Sequence, residues 1–208
     1  MYKQVKLWAM DRSRKAKLTQ FYSNYSGGPV LDVGVSGRNW TDMENVFLKS
    51  FRGEPSDYTA LGIEDLSALA GQYPDRRFVQ YAGGRFPFAD GEFEWAYSNA
   101  VIEHVGSREN QVAFLDEMLR VSRNVFFTTP NKWFPVESHT NVAFLHYFPA
   151  AFYRWCEMRQ LYWSSETLNL LGFRDISEIL SASSAKTTKI MRNGLGGLTM
   201  TFSVVCSA

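Results

Sequence analysis

The chain has 208 residues, with 22 Lys and Arg against 21 Asp and Glu, a formal net charge of +1. That length suits one domain with a full hydrophobic core, and the balanced charge gives no electrostatic reason to expect a nucleic-acid partner. Cys156 and Cys206 show no metal-ligand spacing and suit a reducing compartment, no apolar run is long enough to span a bilayer, and the amino terminus lacks the apolar centre of a secretory signal. A cytoplasmic protein is expected, with no metal among its cofactors.

The first twenty residues carry Lys3, Lys6, Arg12, Arg14, Lys15 and Lys17 against Asp11 alone. This reads as a solvated helix face, with attraction to an anionic substrate or a membrane surface as the alternative. Residues 1–28 form a helical segment, and its Tyr22 and Tyr25 make it a candidate lid. The run from Pro29 to Gly37 then reads as a short apolar strand, Val30-Leu31-Asp32-Val33, that breaks into the small-residue turn Gly34-Val35-Ser36-Gly37. Glycine at such a turn permits positive φ and lets a ligand approach the backbone.

Thr41 to Phe51 carries apolar residues at helical spacing, Tyr58 to Ile63 reads as a second strand, and Asp65 to Ala70 as a short helix. Arg77 to Tyr81 and Phe93 to Tyr97 are the third and fourth strands. Ser107 is a candidate N-cap for a helix with Val112, Leu115, Met118 and Leu119 on one face. Val125 to Thr129 is a fifth strand. Residues 131–172 form an aromatic insertion that local pattern does not assign. A helix from Arg174 to Leu180 and two strands, Lys186 to Met191 and Leu198 to Cys206, close the chain, the strands joined by Asn193-Gly194 and a further glycine pair. The expected fold is α/β: a doubly wound, mostly parallel seven-stranded sheet with an antiparallel edge hairpin, in one domain over 1–208.

In such a sheet a ligand lies beyond the carboxyl ends of the strands, where the strand order reverses. The tips there are Gly34 to Gly37, Glu64-Asp65, Ala82-Gly83-Gly84, Ser98-Asn99 and Thr129-Pro130-Asn131. Glu64 at the second tip suits the two hydroxyls of a ribose, with a favourable helix-start charge as its other reading.

These residues together resemble the class I S-adenosylmethionine-dependent methyltransferases, nearest the type 11 group, over roughly residues 28 to 132. Val30-Leu31-Asp32-Val33-Gly34 matches the family's first motif, and Gly62-Ile63-Glu64 its second. Phe78-Val79-Gln80 and the run from Arg85 to Glu94 resemble the adenine-side motif and the approach to strand four. Ser98 to Val105 resembles the strand-four exit, and Leu115 to Val121 the helix before strand five. Three departures stand out: Ser36 sits where the loop usually has glycine, Ala82 where an acid often holds the adenine amino group, and the first crossover is long between Arg38 and Asp57.

The resemblance implies a Rossmann-like methyltransferase fold with a cofactor-binding core over 29–130 and an acceptor-side segment over 131–172, leaving 173–208 for the last helix and hairpin. It implies S-adenosylmethionine as methyl donor and S-adenosylhomocysteine as product, contacted by Asp32, Gly34, Ser36, Gly37, Glu64, Asp65, Gly83, Ser98 and Asn99. An activated methyl needs no covalent intermediate; donor and nucleophile must be held in line away from water. An alcohol or phenol acceptor calls for a base near neutral pKa. His104 is read as that base or as a positioning group, with His139 and His146 as weaker rivals, and Glu103 as a cofactor acceptor or a solvated carboxylate.

Trp133, Phe134, Phe144, Tyr147, Phe148, Phe152, Tyr153, Trp155, Tyr162 and Trp163 form an acceptor pocket, a lipid-docking surface or ordinary core. The acceptor is expected to be a small molecule, apolar or glycosylated, with oxygen favoured as the methylated atom and peripheral membrane contact an open alternative. The competing reading is a methyltransferase-fold subunit that has lost catalysis and binds another protein.

Overall fold

A computed structural model describes residues 2–38 and 44–208. Its centre is a seven-stranded sheet in the order β3-β2-β1-β4-β5-β7-β6. The strands are β1 (Val30–Val33), β2 (Tyr58–Gly62), β3 (Arg77–Gln80), β4 (Phe93–Asn99), β5 (Ser122–Pro130), β6 (Thr187–Leu195) and β7 (Leu198–Ser207). β1 to β5 pair in parallel, while β7 runs antiparallel to both β5 and β6. The doubly wound sheet with an antiparallel edge hairpin is thus as the sequence predicts.

β1 and β2 are buried at every residue, as interior parallel strands covered on both faces must be. Alternate side chains serve opposite layers. Leu31, Val33, Leu61, Ala96, Val125 and Phe127 face one layer, packed by α4 (Arg108–Val121) and α6 (Phe173–Ala182). Val30, Tyr58, Ala60, Trp95, Tyr97 and Phe126 face the other, under α1 (Tyr2–Tyr22), α2 (Val46–Ser50) and α3 (Ser67–Gln72). Phe21 of α1 anchors this second layer, with its ring edge-on to Phe47, Trp95, Tyr97 and Phe126 at 5.0 to 5.7 Å.

Local chemistry sets the helix ends. Ser107 Oγ accepts from the Asn110 amide at 3.3 Å, capping α4 as expected. Asp175 accepts from the Gly172 amide at 2.7 Å and pairs with Arg108 at 2.6 Å, which ties the start of α6 to α4.

Two expectations are corrected, and one unassigned segment is resolved. The first crossover helix is shorter than Thr41 to Phe51, since it begins at Val46 after Asn45 adopts φ 47°; Thr41 to Met43 lie outside the described residues. Asn193-Gly194 lies inside β6 at a register shift, and the expected glycine pair, Gly196-Gly197, makes the hairpin turn by itself. Both of those glycines have positive φ, 57° and 84°, the requirement of a two-residue turn matched to strand twist. The aromatic insertion contains a helix, α5 (Pro149–Met158), whose Phe152 and Cys156 pack with Leu168 in a small separate core.

Candidate active site

Two clefts open beside the carboxyl ends of β1 and β4, and both are lined by Gly34, Val35 and Ser36. The larger, about 940 Å³, continues past Glu64, Tyr81, Gly83, Val101, His104 and Phe114. The smaller, about 210 Å³, runs under α1 past Arg14, Lys17, Asp32, Asn45 and Asn99.

The turn after β1 is held from three sides. Gly34 and Val35 amides both donate to the Leu61 carbonyl, at 2.8 and 3.1 Å. Asn45 accepts from the Ser36 amide at 3.2 Å and donates to the Ser36 carbonyl at 2.9 Å and the Arg38 carbonyl at 3.1 Å. Glu64 Oε2 accepts from Ser36 Oγ and from the Gly37 amide, each at 2.9 Å. Gly34 has φ 92°, and a Cβ there would stand 2.3 Å from a Val101 methyl. A Cβ on Gly37 would stand 2.3 Å from the Asp65 carbonyl. The short loop is therefore a backbone cradle closed by a hydroxyl: Ser36, where the family usually has glycine, bonds the acid of the next strand tip.

Asp32 is buried and accepts a hydrogen bond from Tyr58 Oη on the neighbouring strand. Burial pushes its carboxyl up to about 7, against the Tyr58 bond, which pulls the other way. Raised above its unfolded value, Asp32 contributes stability at low pH that is lost as pH climbs from about 4 through 7. Asp32→Asn should remove that slope. In urea unfolding between pH 5 and 7, the wild type should lose up to about 1.4 kcal/mol per pH unit more than the variant; parallel curves would refute the buried acid.

Lys17 reaches the same cleft from α1. Its amine donates to Asn99 Oδ1 at 3.2 Å, and burial lowers it to about 8, partly offset by the Glu103 carboxylate. Asn99 is held in turn by the Thr128 hydroxyl at 2.8 Å. Of the lid residues expected on this helix, Tyr22 and Tyr25 bond the Ser50 and Gly28 carbonyls and line neither cleft. Arg14, Lys17 and Leu18, one and two turns earlier, form the wall instead.

Asp65 accepts from the Ser67 amide at 2.9 Å in the turn before α3, and Ser98 is buried; neither lines a cleft. Gly83 lines the large cleft with φ 93°, beside Gly84 at 76°.

Beyond β4, Ala100 takes φ 57°, a conformation rare for alanine, and the chain turns into a single 3₁₀ turn, Ile102–His104. This directs Glu103 inward and His104 into the large cleft. His104 Nδ1 lies 3.0 Å from the Thr167 carbonyl, which fixes it as the protonated nitrogen and leaves Nε2 as the basic one. His139 stands edge-on to it, ring centroids 4.8 Å apart, with Trp163 against both rings. His139 Nδ1 contacts Glu137 Oε1 at 2.6 Å. Burial alone would raise the Glu137 carboxyl, but the side-chain and backbone bonds from His139, its charge, and the Thr140 hydroxyl bring it down to about 2.

His146, the third rival base, is buried, with Nε2 at 3.0 Å from the Phe134 carbonyl, and lines neither cleft. The aromatic insertion divides. Phe152 is core and Trp163 backs the histidines, while Trp133, Phe144, Phe148 and Tyr162 are exposed. Sequence reasoning missed Asn45 and Glu137 as parts of the site, and saw Lys17 only as one of a basic cluster that could attract an anionic substrate. The carboxylate two residues before His139 was a local signal for Glu137.

The sheet order, with a glycine turn after β1 and an acid after β2, defines the class I methyltransferase type of α/β fold. Residues 31–125 match a family model described as a methyltransferase domain, of type 11, which bears out the resemblance seen in the sequence. Similar solved structures include a SAM-dependent methyltransferase from Methanosarcina mazei, 11% identical over 88% of this chain and 93% of that one, with a TM-score of 0.60. The DhpI–SAH complex is 14% identical over 99% of this chain and 88% of that one, TM-score 0.62. Magnesium protoporphyrin IX methyltransferase from Synechocystis with bound SAH is 10% identical over 99% and 86%, TM-score 0.59. At these identities the likeness is one of fold. A search of curated proteins returned no match.

Proposed function

We propose that this protein transfers a methyl group from S-adenosylmethionine to a hydroxyl of a small-molecule acceptor, releasing S-adenosylhomocysteine. The observation that carries the reading is the Gly34–Gly37 cradle pinned to Glu64 at the mouth of a cleft of about 940 Å³. The amides of Gly34 to Gly37 are engaged by Leu61, Asn45 and Glu64, and Gly34 is packed against Val101, so the turn offers a nucleoside ligand a rigid, preorganised rim beside both clefts. Bound there, the sulfonium supplies an activated methyl.

The chain's own residues position and shield. Glu64 Oε2 holds the loop, and Oε1, with the Arg38 guanidinium at 3.8 Å, is the acceptor for a ribose hydroxyl. Gly83 and Tyr81 flank the adenine end, with backbone groups standing in for the acid absent at Ala82. The small cleft takes the amino-acid end of the donor, where Lys17 faces its carboxylate. His104, with Nε2 basic and turned to the cleft, sits at the acceptor end.

Calorimetry with S-adenosylmethionine and S-adenosylhomocysteine tests the donor site, and absence of binding by either would return the protein to the non-catalytic reading. Methyl-labelled donor incubated with fractionated small-molecule extract then reports the acceptor. His104→Ala should lower kcat by about 10²–10⁴-fold while donor affinity changes little. Equal losses in both would make His104 a positioning residue.

A further inference from the structure

We propose that Glu103, His104 and His139 form a binding site for a divalent transition-metal ion at the acceptor end of the large cleft. One donor atom from each side chain lies within 4.8 Å of the other two. Ligands held about 2.1 Å from one ion stand roughly 3–3.4 Å apart, so small side-chain rotations close the set.

Three features distinguish this cluster from a chance grouping. First, both imidazoles already have their other nitrogen engaged: His104 Nδ1 by the Thr167 carbonyl and His139 Nδ1 by the Glu137 carboxylate. Such second contacts fix the tautomer, orient the ring and raise the basicity of a metal-ligating Nε2. Second, Glu103 is fully buried; its Oε2 accepts from Thr129 at 3.1 Å while Oε1 has no hydrogen-bond partner among the described residues. A buried carboxylate oxygen without a partner is costly, and a cation at the two free imidazole nitrogens would satisfy it. The nearby Lys17 amine, whose charge is felt by Glu103, stands beyond ion-pair distance of it and donates to Asn99. Third, Trp163 backs both rings and limits water on that side.

Two imidazoles and one carboxylate suit Fe²⁺, Mn²⁺, Co²⁺ or Zn²⁺ rather than Mg²⁺ or Ca²⁺, and three protein ligands leave open positions. The role of the ion rests on the methyl-transfer reading above. An acceptor hydroxyl binding at an open position would lose its proton to water, and the resulting oxygen lone pair would form the O–CH₃ bond. The C–S bond would break with its electron pair remaining on sulfur, leaving a neutral thioether. His104 would then act as a ligand instead of as a base.

The test uses the full chain stripped with a chelator and titrated with Co²⁺ alone, followed by its visible absorption. One Co²⁺ per chain is expected, with bands of nitrogen and oxygen ligation. Glu103→Gln and His139→Ala should each weaken binding by more than tenfold, and Glu137→Gln by about 10–100-fold through the His139 contact. No stoichiometric Co²⁺ binding by the wild type, or binding that these substitutions leave unchanged, would overturn the proposal. Calorimetry with S-adenosylmethionine on the metal-free protein separates the two readings. Donor binding without metal binding refutes the ion alone; metal binding without donor binding refutes methyl transfer alone.

Discussion

Glu64→Ala should lower affinity for S-adenosylmethionine by about 30- to 1000-fold, with folding largely preserved. The carboxylate does two things at once. Oε2 bonds Ser36 Oγ and the Gly37 amide, and in the proposed function Oε1 accepts from the ribose. Losing the ribose hydrogen bond to a charged group, about 1.5–3 kcal/mol, and loosening the cradle, about 0.5–1 kcal/mol, together cost about 2–4 kcal/mol, which is an effect of that size. The exposed Arg38 contact at 3.8 Å adds little. Ser36→Ala separates the two roles, since it removes only one loop anchor and should cost about tenfold or less. Isothermal calorimetry on both variants decides it. Wild-type affinity in Glu64→Ala would remove the carboxylate from the donor site.

Gly34→Ala should be strongly damaging to both folding and donor binding. Its φ of 92° lies where side chains are disfavoured, and the new methyl would stand 2.3 Å from Val101 Cγ2. Backbone strain of about 1–2 kcal/mol and overpacking of about 1–3 kcal/mol should together destabilise the fold by about 2–5 kcal/mol. Because Gly34 borders both clefts, donor binding should fall as well. The companion Gly34→Ala/Val101→Ala relieves the collision but not the φ, and should recover only the packing part. Denaturant unfolding of the two variants would show this split. Full recovery in the double variant would mean that the backbone conformation itself carries no strain.

Much of the fold was legible because its signals are local. Val30 to Val33 and Tyr58 to Gly62 are short apolar runs closed by small residues, and the Ser107 cap announces α4. The elements that misled were those where context overrides pattern. Asn193-Gly194 has turn chemistry, yet pairing with β7 draws it into the strand and leaves the turn to Gly196-Gly197. The aromatic insertion shows no single period, because Phe152 serves a small core while Phe144, Phe148 and Tyr162 face outward.

The candidate site divides along the same line. The sequence alone determined the sheet class, the glycine turn at its first strand and the acid at its second, because each depends on residues adjacent in the chain. It also located His104 at the strand-four exit. Only the tertiary structure decided what these residues touch. Packing of α1 on the sheet brings Lys17 to Asn99 across 82 positions, and Asn45 reaches back nine to hold Ser36. The insertion brings His139, with Glu137 behind it, edge-on to His104 and within 4.8 Å of a carboxylate oxygen of Glu103. Burial and long-range contact set the protonation, orientation and partners of such groups. Those properties arise from the packed chain and have no local pattern to betray them.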